Sequence, residues 1–412
     1  RGSCAADSGG KAALRSFERL LMVAGEHTWG WDGGHIRHKS WSNEELQASL
    51  KNDEAFQTAV ITWVEQRAIL RNAIAALPPS ATLAKQIAAE FSEIEGGKAP
   101  FDGDGLADIE PSSLCVCGDY DLGFGLDGSI TTLRQRLSGL ELANASQPLA
   151  RLWYHGMGHE YFKAFVHEYI AGISAILPEL TAENLYKPNL QLPPMSANAS
   201  LTRLRTSSTA RGVGASASHE MLIDLAFPTD VHEERGAPAT AQARLTCEGS
   251  TLSYTLRWFN KTATHAPETI WLSNMPIGLQ DAAGAVTLDK LGAPLDALDA
   301  DLGCDGKDRL TCGVHLHGVG DGGVALQLAA SNTSSTASTA PTLSAMRLVP
   351  LDSALVSIGT ADPVPTPLAR PDPTGGVHFA LVGNIWNTNY PFWYPFVEED
   401  AASQFRFKFE LP

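Results

Sequence analysis

The sequence contains no long apolar run, no cluster of basic residues and few cysteines. No apolar stretch approaches the ~20 residues that a membrane-spanning helix needs, so we expect no membrane span. The 412 residues carry 46 acidic and 30 basic side chains, a net charge of −16, which argues against nucleic acid as a partner. The sequence has no initiator Met and no signal peptide, so we expect Arg1 to mark a processed or truncated start.

The six cysteines are even in number but sparse, and none has the spacing of a zinc finger. Cys304 and Cys312 flank a short polar loop and could pair, whereas Cys115 and Cys117 are not expected to pair with each other. Acceptor motifs for N-glycosylation occur at Asn144, Asn198, Asn260 and Asn332. Together, the cysteine count and these motifs favour a secreted or vacuolar protein.

Residues 1–100 are predicted to form antiparallel helices joined by short turns, as in a helical bundle. Ser42 begins a capping box with Glu45 three residues later. Apolar residues at spacings of three, four or seven then predict a long helix, which Pro78 ends. Ser80 is predicted to cap the following helix.

After Pro100 the pattern becomes that of a β protein. We divide this part into residues 101–195, with strands and one helical interlude, and residues 196–412, with strands to the C-terminus. Asp127-Gly128 between two strand-like segments predicts a hairpin. Strict alternation of apolar and polar residues predicts half-buried strands at 252–258 and 405–411.

The segment 25–35 concentrates two Trp, two His, two carboxylates and four Gly in eleven residues. It follows an apolar helix pattern, and its glycines permit sharp turns and close approach to a ligand. Aromatic, imidazole and carboxylate side chains at a helix end could form a sugar or metal site. Alternatively, the segment is a helix-capping loop whose Trp residues fill the core.

A second aromatic segment, 387–394, combines Asn residues with Tyr, Phe and Trp. Asn side chains can hydrogen-bond to sugar hydroxyls while aromatic faces stack on sugar rings. The segment is therefore either a sugar-facing loop or the core of a loop.

These two segments together resemble glycoside hydrolase family 38, the α-mannosidases, and most closely the related group called domain of unknown function 5054. The matching pieces are Glu26-His27-Thr28-Trp29-Gly30, segments 123–133, 185–190 and 349–355, and Asn384-Ile385-Trp386-Asn387-Thr388-Asn389-Tyr390-Pro391. The resemblance covers about half of the chain, and the first and last pieces are the more specific ones.

The resemblance implies a β/α barrel, then a helical bundle, then β-sandwich domains, so this chain is expected to be the bundle and the sandwiches. It also implies a retaining glycosidase that holds Zn²⁺, with His27 as one metal ligand. The nucleophile and the other ligands would belong to an upstream barrel domain or chain that precedes Arg1. The implied contacts to the carbohydrate substrate are Glu26, Thr28, Trp29, Trp31, Asp32, Asn387, Asn389, Tyr390 and Trp393.

The resemblance departs from the mannosidases at one position. They usually carry His-His-Asp where this chain has Glu26-His27-Thr28, so the Asp that would contact the substrate is replaced by Thr28. Two other hypotheses are a carbohydrate-binding β-sandwich without catalysis and a structural or interaction fragment.

Overall fold

The computed structural model describes residues 8–25, 30–31, 42–165, 192–207, 219–298, 316–329, 343–363, 370–385 and 393–412. Its helices are α1 (Ser8–Ala24), α2 (Asn43–Asn52), α3 (Glu54–Ala75), α4 (Thr82–Glu95), α5 (His159–Phe165) and α6 (Thr229–Arg235). Two single 3₁₀ turns occupy Pro373–Gly375 and Glu398–Ala401. None of the described helices is both long and apolar enough to span a membrane.

The described strands form three antiparallel sheets. From edge to edge, the ten-stranded sheet contains β1 (Leu106–Asp108), β8 (Ser200–Ser207), β9 (Glu220–Ala226), β10 (Thr240–Glu248), β11 (Thr251–Phe259), β20 (Ser403–Glu410), β17 (Leu343–Pro350), β16 (Val324–Ala329), β13 (Val286–Lys290) and β14 (Ala293–Asp296). The six-stranded sheet contains β15 (Leu316–Gly318), β18 (Leu355–Ile358), β19 (Val377–Asn384), β12 (Glu268–Asn274), β6 (Arg151–Gly156) and β7 (Met195–Asn198). The four-stranded sheet contains β2 (Cys115–Cys117), β3 (Tyr120–Phe124), β4 (Ile130–Gln135) and β5 (Glu141–Ala143).

The three sheets share one hydrophobic core, which makes the described chain a β-sandwich. Strand β11 buries alternate residues, so its apolar side chains face the core while the residues between them are only half-buried. Side chains from the ten-stranded sheet, such as Leu256 and Phe407, join Ile270 and Phe379 of the six-stranded sheet and Leu122 of the four-stranded sheet in a single cluster. The strands predicted at 252–258 and 405–411 and the Asp127-Gly128 hairpin are confirmed.

The prediction of a helical bundle followed by sandwich domains of the α-mannosidase type is wrong. The described core lies in and between the sheets, and the helices form a layer against the sandwich. Trp63 of α3 is buried against Trp393. Trp393 comes after β19, the last strand of the six-stranded sheet in chain order. Leu70, on the same helix as Trp63, is exposed. An apolar stripe shows only that a helix packs against something, and here α3 packs both against α1 and, through Trp63, against Trp393.

The starts of the helices follow the sequence signals in two of three cases. The Ser42 hydroxyl accepts a hydrogen bond from the Glu45 amide at 3.4 Å, as the capping box predicted. The Asp53 side chain begins α3 in the same way, accepting from the Ala55 amide at 2.9 Å. The Ser80 cap is wrong, because Ala81 is the cap residue of α4 and contributes no side-chain bond.

A buried histidine lies on the outer face of the six-stranded sheet. The Ser273 hydroxyl receives the Trp153 indole N–H at 2.8 Å and lies 2.8 Å from Nδ1 of His378. Nε2 of His378 faces the Gly359 carbonyl at 3.4 Å, and because a carbonyl can only accept, Nε2 carries the proton. Burial lowers the pKa of His378 to about 4, and the positive charge of Arg151 acts in the same direction.

We expect His378 to make the fold sensitive to acid. In the unfolded chain its pKa returns to about 6.5. Between this value and about 4, the unfolded state therefore binds a proton that the folded state does not bind. The stability from neutral His378 is complete above pH 6.5 and is lost as the pH falls toward 4, at most about 3 kcal/mol. Urea unfolding at several pH values should show that H378Q weakens this dependence, and an unchanged slope would contradict the assignment.

Candidate functional site

A small aromatic cluster joins the helical layer to the sandwich. Its buried members, here called the tryptophan cluster, are Leu46, Phe56, Ala59, Trp63, Ala263 and Trp393. The Trp63 and Trp393 rings meet edge to face with centroids 4.4 Å apart, and Phe56 stacks on Trp393 at 5.3 Å. The cluster therefore fixes Trp393 against α3.

Two described residues of the first predicted segment, Gly30 and Trp31, lie at this cluster. Trp31 packs against its edge, and the Trp31 amide donates to the Thr62 hydroxyl at 3.1 Å. Gly30 has a φ of +85°, and a Cβ there would lie 2.8 Å from Cδ1 of Trp63. Only glycine fits this close contact without displacement, which gives Gly30 a local structural role.

Two of the predicted site residues, Trp31 and Trp393, lie in the described structure, and the fold brings both to the tryptophan cluster. Trp393 is 1 % exposed, so its side chain holds the cluster together. The other predicted residues lie outside the described residues: Glu26, His27, Thr28, Trp29, Asp32, Asn387, Asn389 and Tyr390. Their roles stay predictions.

The loop 260–267 forms the base of the tryptophan cluster. Its Thr264 hydroxyl donates to the Asn43 side chain at 2.6 Å, and its Thr264 carbonyl accepts from Asn384 at 2.8 Å. The Lys261 amide donates to the Ala401 carbonyl at 3.0 Å. One loop thus ties α2, the end of β19 and the C-terminal segment together.

A fully buried ion pair closes this loop. Nζ of Lys261 lies 2.7 Å from Oε1 of Glu268, and both side chains are 0 % exposed. Nζ also donates to the Gly236 carbonyl at 3.1 Å. Burial raises the pKa of Glu268 despite the opposing effect of Lys261, and burial likewise lowers the pKa of Lys261. Sequence reasoning missed this pair, since the two residues stand in no recognisable motif.

A cavity of about 610 Å³ with a mixed polar and apolar lining opens beside the tryptophan cluster. Its lining includes Asn43, Glu44, Gln47, Glu233, Phe396 and Glu398. Carboxylates and amides accept hydrogen bonds from hydroxyl groups, and an aromatic ring offers an apolar face. The cavity therefore offers the kinds of groups that bind a hydroxylated ligand.

Among the residues that the structure describes, no three His, Cys, Asp or Glu side chains are grouped so as to hold a metal ion. The predicted zinc ligand, His27, lies outside these residues. The zinc prediction stays a prediction.

Comparison with solved structures finds weak likenesses. A galactose mutarotase-like protein from Lactobacillus casei is 10% identical, with 75% of this chain and 100% of that chain covered and a TM-score of 0.35. A putative aldose 1-epimerase from Escherichia coli K12 is 10% identical, with coverage of 75% and 99% and a TM-score of 0.29. The family 36 α-galactosidase AgaA from Geobacillus stearothermophilus is 9% identical, with coverage of 73% and 40% and a TM-score of 0.29. Likenesses at these scores carry no argument about this chain.

The comparison with curated proteins gives no match. A family model does match, over residues 1–252. This region includes segment 25–35, α2 to α4, the four-stranded sheet and the strands through β10. The chain belongs to the family described as domain of unknown function (DUF5054).

Proposed function

We propose that this chain is part of a glycoside hydrolase that resembles the retaining, metal-dependent α-mannosidases. The observation that carries the proposal is the tryptophan cluster, where Trp31 and Trp393 pack beside a cavity lined by both polar and apolar side chains. These residues lie within two positions of segments 26–30 and 386–391, the two most specific pieces of the resemblance. Membership of the DUF5054 family supports the same proposal.

The chemistry of such an enzyme is a double displacement with two carboxylates. An upstream barrel would supply the nucleophile, while this chain would supply His27 as a zinc ligand. Bound Zn²⁺ would hold and polarise sugar hydroxyls. Glu26, Thr28, Trp29, Trp31 and Asp32 would contact the sugar from one segment. From the other segment, the contacts would be Asn387, Asn389 and Tyr390, while the buried Trp393 side chain would anchor that segment to α3.

We place the protein in a secreted or vacuolar compartment. The structure contains a disulfide between Cys117 and Cys247, and such bonds persist in oxidising compartments. In the acceptor motif that begins at Asn260, the residues Asn260 and Thr262 are both exposed, which supports glycosylation of Asn260.

The test uses the full-length natural protein and its H27A variant. We expect H27A to lose bound zinc, measured by elemental analysis, and to hydrolyse nitrophenyl α-glycosides about 100-fold more slowly or worse, because the metal supplies several kcal/mol of transition-state stabilisation. H38A, which removes another imidazole from the same part of the sequence, is the matched control and should retain both properties.

Equal zinc content and equal activity in H27A and the parent would refute the metal role. A protein without hydrolytic activity that binds saccharides equally well with and without chelator would instead be the carbohydrate-binding β-sandwich.

A further inference from the structure

A cleft of about 890 Å³ separates the helical layer from the C-terminal segment 394–405. Val64 and Leu70 of α3 and Ile94 of α4 line one side, and Phe405 lines the other. This volume falls within the range of small-molecule sites, which are mostly apolar with a few polar groups. The cleft adjoins the cavity at the tryptophan cluster, since Val397 lines both, but the two share no other lining residue.

The helix side of the cleft leaves apolar surface in contact with water. Val64 is 45 % exposed, Leu70 is 37 % exposed and Ile94 is 40 % exposed. Because they line one concave surface, a single apolar ligand could remove all three from water at once.

The charged side chains around this cleft neutralise one another. The ion pairs are Arg67–Asp400 at 2.8 Å, Arg71–Glu95 at 3.2 Å and Arg406–Asp352 at 2.8 Å. The remaining lining charges, Lys98 and Glu399, are opposite in sign and adjacent, since Nζ of Lys98 donates to the Glu399 carbonyl at 2.7 Å. An ionic ligand would have to compete with these internal partners.

We propose that the cleft binds an uncharged amphiphile by its alkyl or aryl part, with the polar part left at the opening. The apolar lining provides the contact area, and the internally paired charges disfavour ionic ligands. The proposal does not rest on the glycosidase function, because none of the residues assigned to that function lines the cleft.

The experiment titrates the chain with methyl, hexyl, heptyl and octyl β-D-glucoside below their micelle concentrations, using calorimetry. We expect no binding of the methyl glucoside and an affinity that rises about fourfold for each methylene that the cleft buries. Octanoate, with a comparable chain and a charge, should bind more weakly than octyl glucoside.

Variants locate the site. L70D and I94D place a charge in the cleft at partly exposed positions, and each should weaken octyl glucoside binding at least about tenfold while thermal unfolding shows an intact fold. I61D is the matched control, because Ile61 is also on α3, is 58 % exposed and does not line the cleft. Absence of alkyl glucoside binding, no dependence on chain length, or an equal loss in I61D would overturn the proposal.

Discussion

Replacement of Lys261 by Met is expected to lower the free energy of unfolding by about 3–5 kcal/mol. The Lys261 and Glu268 side chains are wholly buried and 2.7 Å apart. Removal of the ammonium group leaves a wholly buried carboxylate without its cation, and a buried charge without a counterion is strongly unfavourable. The loss should appear as a lower urea midpoint with an unchanged slope.

The double variant K261M/E268Q should recover most of this stability. Each ion loses its hydration on burial, and their mutual attraction roughly offsets that loss, so removal of both charges is nearly neutral. We therefore expect the double variant to lie within about 1.5 kcal/mol of the parent, a coupling that independent sites would not show.

An exposed ion pair provides the control. Arg370 and Asp281 approach to 2.8 Å, but their side chains are 46 % and 49 % exposed. Water already stabilises both ions, so R370M should change stability by no more than about 1 kcal/mol. An R370M variant as unstable as K261M would indicate that burial is not the cause.

The pH dependence of the K261M stability deficit distinguishes two explanations, an unpaired charge on Glu268 and a simple loss of packing. In K261M the pKa of Glu268 should rise further, because burial disfavours its charged form and the cation is gone. The folded state then takes up a proton at a higher pH than the unfolded state, so the K261M deficit should shrink as the pH falls below 7. A deficit independent of pH would contradict the unpaired-charge explanation.

The sequence predicts the local structure of the sandwich well. In β11, alternate residues such as Leu252 and Trp258 are buried, because side chains two apart in a strand share a face. Asp53 and Ser42 cap helices because each cap is a contact within three residues. The packing of α3 was mispredicted for the opposite reason: its stripe shows an apolar face, and whether another helix or Trp393 covers that face depends on contacts far apart in sequence.

The candidate site shows the same limit. Trp31 and Trp393 were both singled out, but only the fold shows that both pack at the tryptophan cluster. The Lys261–Glu268 pair has no sequence signal, because it depends on the path of the chain between sheets. Lys261 follows a strand of the ten-stranded sheet and Glu268 begins a strand of the six-stranded sheet. The cysteines are similar, since Cys115 and Cys117 both lie on the buried face of β2, and the fold pairs only Cys117 with Cys247.

Loss of the Cys117–Cys247 disulfide should destabilise the protein by about 2–4 kcal/mol. The bond links β2 of the four-stranded sheet to β10 of the ten-stranded sheet across 130 residues. Cross-linking so long a segment restricts the unfolded chain, and the chain-entropy relation gives about 5 kcal/mol as the ideal value. We expect C117A, C247A and the double variant to unfold at nearly the same lower urea concentration, since either change alone removes the whole bond.

A variant of the neighbouring Cys115 distinguishes the effect of losing the disulfide from the effect of losing a buried sulfur atom. Cys115 is buried and unbonded, and burial raises its pKa, so it is an inert core side chain. C115A should therefore change stability by about 1 kcal/mol or less. Dithiothreitol should lower the unfolding midpoint of the parent and of C115A by much more than that of C117A. If dithiothreitol shifts C117A as much as the parent, or if C115A is as unstable as C117A, the disulfide is not the source of the stability.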